Sequence, residues 1–504
     1  MTVTLTGGPL SFEEVLAVAA GDTDVVFSPE AAEGMGPARR IVEDAVAEGR
    51  TVYGVTTGFG ALSTTRVDPE LSGEMQVALL RSHAAGVGPP LPAPLVRAMM
   101  VLRARTLSQG HSGVRPVVVE RILDLLRAGI LPVVPAQGSV GASGDLAPFA
   151  HLALPLIGEG EVFDGEERRA AADALADHGI EPLTLQPKEG LSLLNGTEGM
   201  LAWGVLGLDR LRRLALATDL ACALSVEALL ASERPFRPEI HRLRPHPGQA
   251  ESARVIREAL DGSGIVASHA HDFTHAVQDA YSLRCAPQVH GAVRDVMAHA
   301  AEVFERELGA VVDNPIVLPE TGEVVSAGNF HGQPLAFALD FLAIAATELG
   351  SISERRTDRI LDPDRSSGLT PFLATRPGLN SGLMLTQYTA AALVAENRLL
   401  SHPASVESIP TSGLQEDHVS MGWGAGKKLW EVLDNTARVI AVELLCAAQG
   451  VEQREPLTPG AGTSRVLDAV RSVVEPLTVD RPPAPDIEAI AAMIEGGGLD
   501  AIAG

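Results

Sequence analysis

The stretch LAWGVLGLDRLRRLALATDLACALSVEALLAS, Leu201 to Ser232, holds apolar residues at helical spacing from end to end and contains no proline. It predicts one long helix. LAFALDFLAIAATELGSISERR is apolar nearly all round before its charged end, the pattern of a buried helix. LMLTQYTAAALVAENRLLS and LWEVLDNTARVIAVELLCAAQG read the same way, and DRPPAPDIEAIAAMI marks a last helix set off by prolines. Aromatic residues make up only 4% of the chain, so Ala, Leu and Val must fill the core, which favours closely packed helices over a β-sandwich. The expected fold is mainly α, a long helical bundle with a smaller mixed head at the N-terminus. Residues 1–110 form the expected head, which carries Tyr53 and His83, and residues 111–504 the expected bundle domain. In the head, LSFEEVLAVAAG predicts a helix opened by a Ser11/Glu14 capping box and closed by Gly21. RTVYGVTTGFGALST reads as a glycine-broken loop with strand-like ends.

A formal net charge of −25 argues against nucleic acid and anionic membrane as partners. Cys222, Cys285 and Cys446 lie far apart and form neither a CxxC pair nor a disulfide framework, which points to a reducing compartment. The opening MTVTLTGGPLSFEEV lacks a basic n-region and an apolar h-region, and no uncharged apolar run reaches the ~18–20 residues that span a bilayer. The expected location is the cytoplasm.

Between the helical runs lie polar, glycine-bearing motifs, where sites tend to form. Common motifs fail on inspection. The spacing of Gly138, Gly141 and Gly144 is not that of a dinucleotide loop, and GWGAGKK lacks both the first glycine and the Ser/Thr of a P-loop. Asp145 stands where a nucleophile elbow around Ser143 would need glycine. His269, His271 and His275 in HAHDFTH have no zincin-type glutamate or CxxC beside them, so no metal is expected.

GSVGASGDLAPFAH, from Gly138 to His151, offers a different chemistry. In a tight bend the amide nitrogen of Gly144 can approach the carbonyl carbon of Ala142. Closure with loss of water gives a five-membered imidazolone, and dehydration of Ser143 leaves an exocyclic methylidene. Ala and Gly permit the bend, serine carries the departing hydroxyl, and Asp145 can handle protons beside it. The product is a strong electrophile that needs no external cofactor.

This motif, with YGVTTGFG, SHAAGVG, EGLSLLNGT, VQDAYSLRC, DNP, GNFHG, SERR, QEDHVSM and APDIE in order along most of the chain, resembles the aromatic amino acid ammonia-lyase and aminomutase family. Within it the resemblance is to the members that act on histidine. That family uses 4-methylideneimidazol-5-one (MIO), here from Ala142, Ser143 and Gly144. The resemblance implies conversion of L-histidine to trans-urocanate and ammonia, the first step of histidine degradation, by a homotetramer whose sites are completed by several subunits.

It also implies roles. Tyr53 matches the base that takes the β-proton, which requires nearby positive charge to lower a phenol pKa ordinarily near ~10. Arg284 matches a carboxylate clamp, Asn195 a residue holding substrate and electrophile, and Gln278 and Tyr281 residues lining the electrophile, with Phe330 packed beside it. Glu416 and His83 would contact the imidazole. Relatives acting on phenyl rings commonly carry glutamine at the position of Glu416, and a polar partner discriminates against a phenyl ring that leaves it unpaired. Ala280 departs from the pattern, since many relatives have proline there. Three rival readings are a phenylalanine or tyrosine lyase or aminomutase on the same scaffold, a pyridoxal-phosphate lyase, and a helical scaffold without activity. The second needs a Schiff-base lysine, and the chain has only Lys188, Lys427 and Lys428.

Overall fold

A computed structural model describes residues 2–270 and 277–502. His271 and His275 lie outside the described residues, and no cluster of three or more potential metal ligands occurs among the described ones. The long helices form where the apolar runs predict them, at Glu198–Ala228, Gln333–Leu361, Met384–Leu400 and Gly422–Glu452, with Ala484–Glu495 after the proline break. The capping box is complete. Ser11 accepts the Glu14 N–H while Glu14 accepts the Ser11 N–H, and Gly21 ends the helix Phe12–Ala20 in the left-handed region at φ 93°. Strands are short: a parallel pair Thr2–Leu5 with Asp24–Phe27, and small antiparallel ladders such as Ile316–Leu318 with Glu323–Val325.

The helix Gln333–Leu361 is by length and composition long and apolar enough to cross a membrane, yet 67% of its most apolar window is buried within the protein. Burial within the protein accounts for part of that composition, while Phe337, Phe341 and Ile344 on the same helix are exposed.

The chain forms two compact units. One comprises Met1–Leu206, Ala301–Leu339 and Pro403–Lys427, the other Gly207–Ala300, Asp340–His402 and Lys428–Gly504. The division does not follow residue 110. Helix Pro116–Ala128 packs on Ala93–Ser108, and Leu146–Ala153 packs on Ser72–His83, so the Ala-Ser-Gly loop falls in the same unit as Tyr53 and His83.

In that unit, Val55 is buried in a cluster with Ala38, Val42 and Val317, and Val52 packs against it. These valines anchor the chain on either side of Tyr53. The expected strand-like ends do not form here. Thr56 accepts the Val52 N–H at 2.9 Å and Thr57 the Gly54 N–H at 3.2 Å. Threonine hydroxyls thus take donors that a ladder would use, and the segment turns.

The second unit has a buried polar centre. The Arg356 guanidinium forks onto the Glu443 carboxylate and also donates to the Ser282 carbonyl at 3.2 Å. His290 meets Asp219 at 2.7 Å. Through Ser282 this network holds the short helix Tyr281–Arg284.

Candidate active site

A cavity of about 490 Å³ lies wholly within the first unit. Its wall brings together Tyr53, His83, Ser143, Asn195 and Glu416, from five separated motifs. Each is placed by local chemistry.

The Ala142–Ser143–Gly144 segment is sharply bent. Ser143 has φ 51° and Gly144 φ 80°, both left-handed, a conformation costly for the serine. A Cβ on Gly144 would stand 2.2 Å from the Gly196 carbonyl oxygen, so only glycine fits. The same oxygen accepts the Asp145 N–H at 2.7 Å. Ala142 and Gly144 are buried, and Ser143 is the half-exposed member of the triplet. Asp145 opens the helix Leu146–Ala153 but does not cap it. Its fully buried carboxyl instead accepts the Met200 N–H at 2.9 Å, at the start of the helix Glu198–Ala228, and the Ser139 hydroxyl at 3.3 Å. Burial pushes its pKa up to about 8, against these hydrogen bonds and with a further push from the Glu198 charge. At neutral pH the group holds its proton and can donate it.

The Tyr53 hydroxyl accepts the Gly60 N–H at 3.0 Å. Burial raises the phenol pKa above its ordinary value, the Gly60 hydrogen bond opposes this, and the Glu416 charge adds to the rise. The lowering that a base requires is therefore not found; the groups around Tyr53 in this unit shift it the other way. The Thr411 hydroxyl donates to Glu416 Oε2 at 2.7 Å, and the two residues pair through their backbones. Ser412, between them, accepts the Ala61 N–H at 3.2 Å, which ties this loop to the Tyr53 loop. Thr411 and Ser412 were not singled out from sequence; Thr411-Ser412-Gly413, a turn-forming cluster beside QEDHVSM, was the available signal.

His83 ends the helix Ser72–His83, and its Nδ1 lies 3.0 Å from the Leu79 carbonyl. That acceptor assigns the proton to Nδ1 and leaves Nε2 for a ligand. Burial lowers the His83 pKa, so the ring is neutral at pH 7, the Leu79 carbonyl and Glu416 opposing that shift. The Asn195 amide donates to the Asn314 carbonyl at 2.8 Å, while its Oδ1 is buried without a hydrogen-bond partner. Asn314 comes from the DNP motif.

No lysine lines the cavity. Lys188 is fully buried and donates to Asp313 and Ser192, each at 2.9 Å, and Lys428 is paired with Asp340. A Schiff-base cofactor finds no amine here.

Residues 10–472 match the family described as aromatic amino acid lyase. The chain is 52% identical to a histidine ammonia-lyase of Streptomyces coelicolor, over 100% of this chain and 98% of that one. It is 50% identical to a histidine ammonia-lyase of Gloeobacter violaceus, over 98% and 96%. The chain belongs to the aromatic amino acid lyase family. Among solved structures, a histidine ammonia-lyase from Trypanosoma cruzi superposes with a TM-score of 0.91 at 41% identity, covering 100% of this chain and 95% of that one. A tyrosine aminomutase from Streptomyces globisporus gives 0.94 at 40% identity, covering 100% and 98%. Members of the family use the MIO group. The bent triplet, its glycine-only contact and the protonated Asp145 beside it fit the formation of that group.

The remaining residues singled out from sequence do not line the cavity. Phe330 lies in the same unit, in the loop before the helix Gln333–Leu361. Two residues on, Gly332 packs against Met200 and Ser420, and the Ser420 hydroxyl donates to the Gly141 carbonyl at 3.4 Å. Gln278, Tyr281 and Arg284 belong to the other unit. Gln278 is exposed, and Tyr281 is 71% exposed. Arg284 stacks over the Tyr281 ring at 4.5 Å and donates to the Asp279 carbonyl at 2.9 Å.

Proposed function

We propose that this chain removes ammonia from L-histidine to give trans-urocanate, in the cytoplasm and as a homotetramer. The observation that carries this reading is the cavity itself, which sets Glu416 and a neutral His83 in the same wall as Ser143. The Glu416 carboxylate and the unprotonated His83 Nε2 are both acceptors and suit the two N–H groups of a protonated imidazole, whereas a phenyl ring would leave both groups unpaired.

Ala142, Ser143 and Gly144 would form the MIO, whose exocyclic carbon supplies an electrophile for the substrate amine and so improves ammonia as a leaving group. Asp145, protonated at neutral pH, gives and takes the protons that two dehydrations require. Asn195 uses its unpartnered Oδ1 to orient the amine. Tyr53 takes the β-proton. Its phenol keeps its own proton in the surroundings that one unit supplies, so a cation must close over it. Arg284 is that cation and also forks onto the substrate carboxylate. We assign Gln278, Tyr281 and Arg284 to the cavity of another copy in the tetramer, in keeping with sites completed by several subunits; Phe330 packs beside the loop.

Ultraviolet absorbance of urocanate tests this reading with L-histidine, L-tyrosine and L-phenylalanine offered in parallel. The expected result is turnover of histidine at least a hundredfold faster than of the other two. Faster turnover of tyrosine or phenylalanine would replace this reading with the phenyl-acting lyase or aminomutase.

A further inference from the structure

Outside the cavity lining lies a buried ion pair to which the chemistry above gives no direct role. Arg103, on the helix Ala93–Ser108, is 0% exposed, and Glu198, the first residue of Glu198–Ala228, is 3% exposed. Arg103 Nη1 donates to Glu198 Oε1 at 2.7 Å and to the Val312 carbonyl at 3.3 Å, and its Nε donates to the Ser192 carbonyl at 2.9 Å. Glu198 Oε2 is buried with no hydrogen-bond partner. A pair buried this completely adds little or no net stability, because desolvation offsets the attraction. Its consequence lies in what it holds.

That object is the Gly196 peptide. A Cβ on Gly196 would stand 2.0 Å from Glu198 Oε2 and 2.1 Å from Arg103 Nη1, so both partners fill the space beside its Cα. The other side of the same residue presses on the Ala-Ser-Gly loop. The Gly196 carbonyl accepts the Asp145 N–H, and its oxygen, carbon and nitrogen would lie 2.2, 2.5 and 2.9 Å from a Cβ on Gly144. Between the pair and the loop, neither Gly196 nor Gly144 has room for a Cβ. Arg103 reaches the loop a second way, over the ring of Phe149 at 5.9 Å on the helix that follows it.

We propose that Arg103 and Glu198 are positioning residues for maturation: their pair clamps the Gly196 peptide against Gly144 and Asp145 and holds Ala142–Ser143–Gly144 in the bend that ring closure needs. The inference rests on the reading that this triplet cyclises. In that step the Gly144 nitrogen bonds to the Ala142 carbonyl carbon. The former carbonyl oxygen leaves as water with the Gly144 and Ser143 amide hydrogens, which leaves a C=N bond between the Ala142 carbon and the Ser143 nitrogen, and Ser143 then loses its α-proton and β-hydroxide as the second water. No oxidant or reductant enters. A small displacement of reacting atoms can cost on the order of a hundredfold in rate, so a clamp acting on the backbone is enough to decide whether closure occurs. The Glu198 charge acts in the same sense by favouring the proton on Asp145.

The test is the intact mass of full-length protein, synthesised in a short pulse and purified as its folded fraction by size exclusion, with thermal midpoints measured alongside. Wild type is expected two waters lighter than its polypeptide, by about 36 Da. Folded Arg103→Met is expected mostly at the unreacted mass, with maturation slowed on the order of a hundredfold. Glu198→Gln keeps the shape and one hydrogen bond, so it folds even where Arg103→Met does not, and matures about tenfold more slowly. Arg103→Lys restores the charge without the fork and falls between. A purely structural pair would change yield and thermal midpoint but leave every folded molecule fully dehydrated. Folded Glu198→Gln and Arg103→Lys that mature at the wild-type rate overturn the clamp alone. A wild type at the unreacted mass overturns the reading it rests on, and the clamp with it.

Discussion

The Ala142–Gly144 loop and the Tyr281–Arg284 turn, both given roles in the proposed function, are built in opposite ways. The loop is enclosed: its glycine touches Gly196, its neighbouring acid is fully buried, and Ser143 alone of the triplet is half-exposed in a cavity wall. The turn is fixed from beneath by Arg356 at Ser282 but presents Tyr281 outward. The enclosed region can make its reagent within one chain. The outward one acts, in the proposed function, only on the cavity of another copy. Maturation and turnover should therefore separate experimentally.

Ser143→Ala should break the enclosed half. Activity is expected to fall by roughly four orders of magnitude or more, with an unchanged thermal midpoint, since a half-exposed hydroxyl is lost from a cavity wall. Urocanate release near the wild-type rate would contradict it. Arg284→Met should break only the outward half. Its kcat/KM should drop on the order of a hundredfold, about 3 kcal/mol, while intact mass stays that of mature wild type. A variant that loses both together would erase the distinction.

The residual activity of Arg284→Met sharpens the comparison further. Burial and Glu416 hold the Tyr53 pKa up, and removing a cation raises it more, so a base must be uncovered at higher pH. The rising limb of the pH–rate profile should move to alkaline pH by about one unit relative to wild type. Glu416→Gln should cost about thirtyfold with histidine through loss of a charge-assisted hydrogen bond, and should narrow the preference over phenylalanine. The smallest effect is expected at Ala280. Its φ of −59° and ψ of 154° suit proline, so Ala280→Pro should stabilise by about 0.4–1 kcal/mol in denaturant melts and leave kcat within about twofold.

Much of this was legible in sequence where the cause is local. The Ser11/Glu14 box, the Gly21 stop and the long apolar helices follow from short-range pattern, and each formed as expected. Ser143, singled out by the chemistry of its triplet, and Tyr53, His83, Asn195 and Glu416, singled out by the family resemblance, line one cavity. The turn around Tyr53 was misread as strand-ended because Thr56 and Thr57 divert backbone donors, a competition that β-propensity does not register. The rise of the Tyr53 pKa gives no sequence signal, since it comes first from burial, with Glu416, far along the chain, adding to it. Arg103 and Glu198 gave no signal at all. Their pairing joins two helices, and the glycine between them reads in sequence as an ordinary turn.

The most direct measurement is the intact mass of the purified, folded, active protein. It should be about 36 Da below that of the encoded polypeptide, the loss of two waters from three consecutive residues. Full activity at the unreduced mass would mean that ammonia leaves without the backbone-derived electrophile.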